Sequence, residues 1–218
     1  EKYNSAFQYA LLIMREEEVK LLNKQLASGK SYIINLIKKL IEIFGQNIII
    51  CSESELIKSS LNNLFPELIF LIRGPALAYK NTRIEDTIKY IIGNLSAIEI
   101  ETFTLINISY PLISKSSIRA SMESLHLYGA DSCISVIQKQ TNIYKAGIKC
   151  LEPIVKNKSI RQERDFIYEE KGGIHSFSFK SFLKNNSLYG EKNTYVIVDE
   201  IESIRNDSVL LDYVLKKT

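Results

Sequence analysis

Ser31-Tyr-Ile-Ile-Asn-Leu-Ile-Lys-Lys-Leu-Ile-Glu-Ile-Phe-Gly-Gln-Asn-Ile-Ile-Ile-Cys51 changes its period partway along. From Ser31 to Phe44, the side chains of Ile33, Ile34, Ile37, Leu40, Ile41 and Phe44 recur at the spacing of an amphipathic helix. Gly45 ends that helix, as a residue with no Cβ penalty in a left-handed conformation does. Asn47 to Cys51 is then a short, continuous apolar run, which suits a strand covered on both faces. Working outward, similar runs occur at Tyr9 to Met14, Leu68 to Ile72, Thr102 to Ile108 and Ser132 to Ile137. Helical patterns at Ile84 to Ile92 and Ser116 to Tyr128 lie between them. Strand and crossover helix in alternation predict an α/β fold: an open, mostly parallel sheet with helices on both faces. Ser52-Glu-Ser-Glu and Ser114-Lys-Ser-Ser offer capping oxygens to the helices that follow them.

The alternation fades after Gln138. Residues 141–171 are polar and irregular, with one expected strand at Tyr144 to Leu151, and read as an oligomerisation or substrate arm on a single domain spanning 1–218. Order returns at Gly173 to Phe179 and Tyr195 to Val198, and a last helix is expected from Asp207 to Lys217.

The 28 Lys and Arg against 25 Asp and Glu give a net charge of +3, and 45% of the 218 residues are hydrophobic, so the chain has the means to bury a core. No long basic run or basic stripe with interleaved aromatics points to nucleic acid. Apolar runs stop well short of the roughly 18 residues that a membrane helix needs, and no secretory leader is visible. A cytoplasmic protein with reduced thiols is the expectation, since Cys51, Cys133 and Cys150 are odd in number and widely spaced. None has an activating neighbour, which argues against a nucleophilic thiol. His126 sits in a helical pattern as a structural residue, whereas His175 falls in a predicted strand near the expected site.

In an open parallel sheet the ligand lies beyond the carboxyl ends of the strands. Three loops there carry unusual residues: Arg15-Glu-Glu-Glu-Val-Lys-Leu-Leu-Asn-Lys24, Arg73-Gly-Pro-Ala-Leu-Ala and Asn107-Ile-Ser-Tyr-Pro-Leu. Taken with Gly129-Ala-Asp-Ser-Cys-Ile-Ser-Val, Arg161-Gln162 and Tyr168-Glu-Glu-Lys-Gly-Gly-Ile, they follow the order of motifs in the N-acylneuraminate cytidylyltransferases, the CMP-sialic acid synthetases, which the chain resembles over nearly its whole length. That resemblance implies a nucleotide-diphospho-sugar transferase-like, Rossmann-like fold and a homodimer whose arm, 141–164, reaches the partner's site. It also implies transfer of CMP from CTP to an acidic sugar with release of pyrophosphate. By the same resemblance Arg15, Lys24 and Arg73 bind the nucleotide, and Lys24 and Asp207 are catalytic. Asn107, Arg161, Gln162 and Tyr168 bind the sugar, and Asp207 holds Mg²⁺.

The sequence departs from the family at both charged centres. Glu16 and Glu17 stand at a glycine pair, Val19 at a lysine, and Arg205 at the first of two metal-binding aspartates. Each added carboxylate at about 5 Å from a phosphate costs on the order of 3 kcal/mol at an effective dielectric near 20. A hard cation has Asp199, Glu202 and Glu16 to Glu18 as further candidate ligands beside Asp207. Ile113 replaces an arginine, and Lys171 and His175 replace an asparagine and a tyrosine. Read without the resemblance, Arg15 and Lys24 are solvated loop cations, Glu16 to Glu18 an exposed acidic turn, Arg73-Gly-Pro a turn and Asp207 a helix cap. The alternative function is therefore a catalytically inactive homologue that binds a ligand or organises a subunit.

Overall fold

The computed structural model describes residues 7–15, 32–79, 81–95, 98–140, 143–148, 150–154, 166–206, 210–211 and 213–214. Strands β1 (Gln8–Met14), β2 (Ile48–Ser52), β3 (Ile69–Ile72), β4 (Thr102–Ile106) and β5 (Ser132–Lys139) each fall within two residues of the apolar runs in the sequence. Helices α1 (Tyr32–Phe44), α2 (Glu55–Asn62), α3 (Ile84–Gly93) and α4 (Lys115–Leu127) alternate with them. The chain continues through β6 (Tyr144–Ala146), β7 (Leu151–Pro153), β8 (Ile167–Ser178), α5 (Phe179–Asn185) and β9 (Asn193–Ile197).

Seven strands form one sheet in the order β3-β2-β1-β4-β8-β5-β9. β1 runs parallel to both β2 and β4, β5 runs parallel to β9, and β8 alone runs against its neighbours. Alternate residues of each strand feed two cores, as the two-residue period of a strand dictates. Ala10, Leu12, Met14, Ile48 and Ile50 pack with Ile33, Ile37 and Leu40 of α1, Ile57 and Leu61 of α2, and Ile118 and Met122 of α4. Tyr9, Leu11, Ile49, Phe103, Leu105 and Phe177 pack on the other face with Ile88 and Ile91 of α3 and Phe182 of α5. Both faces are covered, which is why these strands read as unbroken apolar runs.

Three expectations change. The strand expected at Tyr144 to Leu151 is a hairpin of two short antiparallel strands, because the chain reverses at Gly147, whose N–H donates to Cys150 O. Ile167 to Lys171, assigned to the irregular arm, belongs to β8: only alternate side chains there are sheltered, so the run is polar although Ile167 to Glu170 pair with β5. Ser114 caps α4 by accepting from the Ser117 N–H, but Ser54 makes no such bond at α2. There the Ser52 hydroxyl accepts from the Ser54 N–H instead and closes a tight turn. Residues 210–211 and 213–214 are helical, and the remainder of the expected last helix, Asp207 included, lies outside the described residues.

β8 is also broken by a wide bulge. Between Ile134 and Val136, β5 advances two residues while its partner positions on β8 move from His175 to Glu170. Gly172 and Gly173 absorb the extra chain at φ +88° and +67°. The Ser135 hydroxyl accepts from the Ile174 N–H at 2.9 Å and lies 3.2 Å from its carbonyl, stitching the bulge to β5.

Candidate functional site

β1 lies between β2 and β4: the crossover after β1 runs outward to β2 and the one after β3 returns past β1 to β4, so the loops beyond the carboxyl ends of β1 and β4 part company. This is the switch point at which open α/β sheets bind ligands. A cleft of about 260 Å³ lies there, lined by Ile13 and Arg15 from β1, Leu105, Ile106, Asn107 and Ser109 from β4, and Arg73, Leu77, Thr82, Ile84 and Thr87 from β3 to α3. Its volume is just below the range of about 300–1,000 Å³ typical of small-molecule sites, a scale suited to part of a nucleotide.

Three residues singled out in the sequence, Arg15, Arg73 and Asn107, meet in this one cleft. Arg73 is held from several sides. Its Nε and one terminal nitrogen donate to the Glu53 carboxylate at 3.2 and 2.9 Å, the same terminal nitrogen donates to Met14 O at 3.0 Å, and the other donates to Thr87 Oγ1 at 3.4 Å. The guanidinium is therefore a clasp between the ends of β1, β2 and β3 and the first turns of α3. Its side chain is only 2% exposed, so most of its donors serve the protein. Asn107 is fixed through its backbone and side chain together: its N–H donates to Gly173 O at 2.8 Å, and its Oδ1 accepts from the Ser109 N–H at 2.9 Å, an Asx turn that presents Ser109 to the cleft. Thr82 braces the outer wall by donating to Ala76 O at 2.9 Å.

Tyr168 does not line the cleft. It lies on β8 opposite Gln138, stacked on Tyr195 with ring centroids 4.6 Å apart. Lys24, Arg161, Gln162 and Asp207, and with them Glu16 to Glu18, lie outside the described residues. Among the described residues no three His, Cys, Asp or Glu side chains converge on a metal-sized space, so these residues alone do not fit a Mg²⁺ ion. Glu202, a candidate ligand beside Asp207, is buried and within the field of the Lys39 ammonium, a poor setting for a dication.

Burial pushes the thiol of Cys51 up to about 11 and that of Cys133 up to about 12, so neither is a nucleophile at neutral pH. His175 is a core residue of β8 rather than a cleft residue. Burial holds its pKa below the ordinary value, its Nε2 lies 3.1 Å from Leu188 O, and its ring meets Tyr189 edge-on. Because a carbonyl only accepts, Nε2 carries the proton of the neutral ring. Glu53, Thr87 and Ser109 were not anticipated from sequence. Glu53 follows a strand end and so had the same signal as Arg73, whereas nothing in the α3 pattern distinguishes Thr87 from any other helical threonine.

No family model matches the sequence, and no curated protein matches it. The fold, an open and mostly parallel α/β sheet, is shared with solved structures. It is similar to the structure of 4-diphosphocytidyl-2C-methyl-D-erythritol synthase from Anaerococcus prevotii DSM 20548, at TM-score 0.68 and 10% identity over 98% of this chain and 96% of that one. It is also similar to a second 4-diphosphocytidyl-2C-methyl-D-erythritol synthase, at TM-score 0.65 and 7% identity over 96% and 97%. The 2-C-methyl-D-erythritol 4-phosphate cytidylyltransferase of Francisella tularensis aligns at TM-score 0.64 and 13% identity over 95% and 97%.

Proposed function

We propose that this chain is a nucleotidyltransferase that moves CMP from CTP onto an acidic sugar of the nonulosonic (sialic) type and releases pyrophosphate, for surface polysaccharide or glycoconjugate synthesis in the cytoplasm. The observation that carries the reading is the meeting of Arg15, Arg73 and Asn107 in one cleft at the switch point of the sheet. Support for CTP comes from the solved structures of similar fold, which are of diphosphocytidyl-methylerythritol synthases and a cytidylyltransferase. Those enzymes are named for methylerythritol compounds, so the acidic sugar rests on the sequence motifs alone.

In this reaction the sugar's anomeric hydroxyl oxygen bonds to the α-phosphorus and the bond from that phosphorus to the β-phosphate oxygen breaks. Pyrophosphate leaves with the electron pair, and the hydroxyl proton is lost to a base or to water. Arg15, at the end of β1, supplies positive charge where the triphosphate would lie, a preorganised contribution that grows as charge develops. Arg73 acts by holding the cleft's walls together. Asn107 and Ser109 present polar groups from the end of β4. Lys24 is assigned to the triphosphate, Lys24 and Asp207 to catalysis, Asp207 to Mg²⁺, and Arg161, Gln162 and Tyr168 to the sugar, all by resemblance. The active unit is proposed to be a homodimer, with no nucleic-acid or membrane partner. No helix among the described residues is long and apolar enough to cross a membrane.

Calorimetric titration with CTP, with and without Mg²⁺ and with ATP as control, tests the reading. Selective, Mg²⁺-dependent micromolar binding of CTP supports it, and pyrophosphate release with a panel of acidic sugars then identifies the acceptor. Absence of CTP binding sinks it in favour of the inactive homologue, a reading that the protein-bound donors of Arg73 and the Glu16-Glu17 substitution both favour.

A further inference from the structure

Where β8 leaves the ladder of β5, a side chain fills the gap. Along β5, Cys133 stands opposite Ser176 and Ile134 opposite His175, so Ser135 would face Ile174 if the pairing ran on. Instead the next pair is Val136 with Glu170. The backbone of Ile174 meets the Ser135 side chain: its N–H donates to Oγ at 2.9 Å, and Oγ donates to its carbonyl at 3.2 Å. A hydroxyl is a single group that both donates and accepts, which is what replacing a pair of ladder bonds requires. Ser135 is 1% and Ile174 2% exposed, so these polar groups have almost no water to turn to. From this anchor the chain turns directly to the cleft. Gly173 precedes Ile174, and its carbonyl accepts from the Asn107 N–H at 2.8 Å. Asn107 in turn holds Ser109 through its Oδ1, and both line the cleft. The two glycines mark how closely the bulge is gripped. A Cβ at Gly172 would lie 2.8 Å from Val198 Cγ2 and 3.3 Å from Ser135 Oγ, and one at Gly173 would lie 3.0 Å from Asn107 Cβ. The bulge is therefore a spacer, with Ser135 on one side and the cleft turn on the other.

We propose that Ser135 is a positioning residue for the cleft: its hydroxyl stands in for the missing ladder bonds at Ile174, fixes Gly173 O, and through it sets Asn107 and Ser109 where a ligand meets them. This rests on the cleft being the ligand site, as in the function proposed above. Ser135 is not among the residues that line the cleft, so it acts through the bulge. With Oδ1 committed to Ser109, the Asn107 side chain has its NH₂ to offer, a donor suited to a carboxylate, phosphate or carbonyl oxygen. Removing the Ser135 hydroxyl takes a partner from a buried N–H and a buried C=O, which is costly. Movement of the bulge relieves that cost, and Gly173 O moves with it.

The test is amide hydrogen exchange, followed residue by residue by NMR on the whole chain without ligand. In Ser135→Ala, exchange at Asn107 should rise roughly tenfold or more, the scale of a lost buried hydrogen bond. The Ser178 N–H, which donates to Asp131 O at 2.9 Å beside the far end of the same strand pair, should keep its parent rate, because the opening is local. Ser135→Thr keeps the hydroxyl on a side chain that suits a strand, and should return Asn107 to within about threefold of the parent rate. Unchanged exchange at Asn107 in Ser135→Ala overturns the proposal. A rise at Ser178 as large as that at Asn107 also overturns it, since Ser135 would then only hold the strand pair together, and so does a threonine variant as fast as the alanine one. If Ser135→Ala does not fold, Ser135→Cys, whose thiol is a weaker donor and acceptor, should still speed Asn107 over Ser178, and failure to do so overturns it equally. On the cytidylyltransferase reading, Ser135→Ala should also raise KM for the acidic sugar, and Ser135→Thr should not. The exchange results do not depend on that reading, so a parent protein that ignores CTP counts against the function alone.

Discussion

Replacing Arg73 by methionine keeps much of the side chain's volume and removes the guanidinium that donates twice to Glu53, a carboxylate 13% exposed. Breaking one side of a buried pair costs about 3–5 kcal/mol, whereas removing both partners is often neutral. Arg73→Met should therefore lower the unfolding free energy in urea by that amount, and Arg73→Met with Glu53→Met should recover most of it. A single variant as stable as the parent would mean that the clasp carries no weight. His175 makes a prediction in pH. Burial holds its pKa below 6.5 in the folded chain, with Glu170 and Glu85 acting in the opposite sense, so on acidification the unfolded chain takes up the proton first. Stability is then fully present above the ordinary histidine pKa and declines as pH falls through it. His175→Gln keeps a donor for Leu188 O but does not titrate. Its stability should fall less between pH 7 and 5 than the parent's, and equal slopes would remove His175 as the cause.

At the scale of elements, what was legible in the sequence follows burial. β1, β2 and β4 are mostly buried and β3 is half-buried, so their sequences are dominated by apolar residues and their ends could be placed within two residues. β8 was half hidden because its first part shelters only alternate side chains and its middle holds a bulge, so neither a continuous run nor a clean two-residue period is present. The same bulge governs the site. Gly173 stands at φ +67°, and a Cβ there would come within 2.5 Å of the Tyr110 ring and 3.0 Å of the Asn107 Cβ. Gly173→Ala should cost at least about 1–2 kcal/mol from the left-handed backbone alone, and more from the displaced 107–110 turn. Spectra sensitive to Tyr110 and the denaturation midpoint should shift together. An unperturbed Tyr110 would show that the turn is not packed as described. The site was legible to the same extent as its strands: the carboxyl ends of β1, β3 and β4 pointed to Arg15, Arg73 and Asn107, while Thr87 was invisible because a helix pattern marks only what it buries.

For the molecule as a whole, the small hairpin makes the sharpest demand. Two-stranded ribbons are marginal in water by themselves, yet β6 and β7 form a sheet of their own, separate from the seven-stranded one. Tyr144, Ile148, Leu151 and Ile154 on this ribbon are all exposed, Ile148 completely. Phe166, Tyr168, Tyr195 and Ile197, on and beside β8 and β9, are exposed as well. Exposed apolar side chains of this kind mark an interaction site, and a second copy as their cover agrees with the proposed homodimer. Light scattering after gel filtration should accordingly give the mass of two chains, and Ile148→Glu with Leu151→Glu should reduce it to one without lowering the stability of the seven-stranded sheet. An interface holding such a dimer should bury more than about 1,000 Å², so the dimer should persist on dilution to micromolar chain. A parent protein that runs as one chain at high concentration would rule out the homodimer and leave the ribbon's apolar side chains to some other partner.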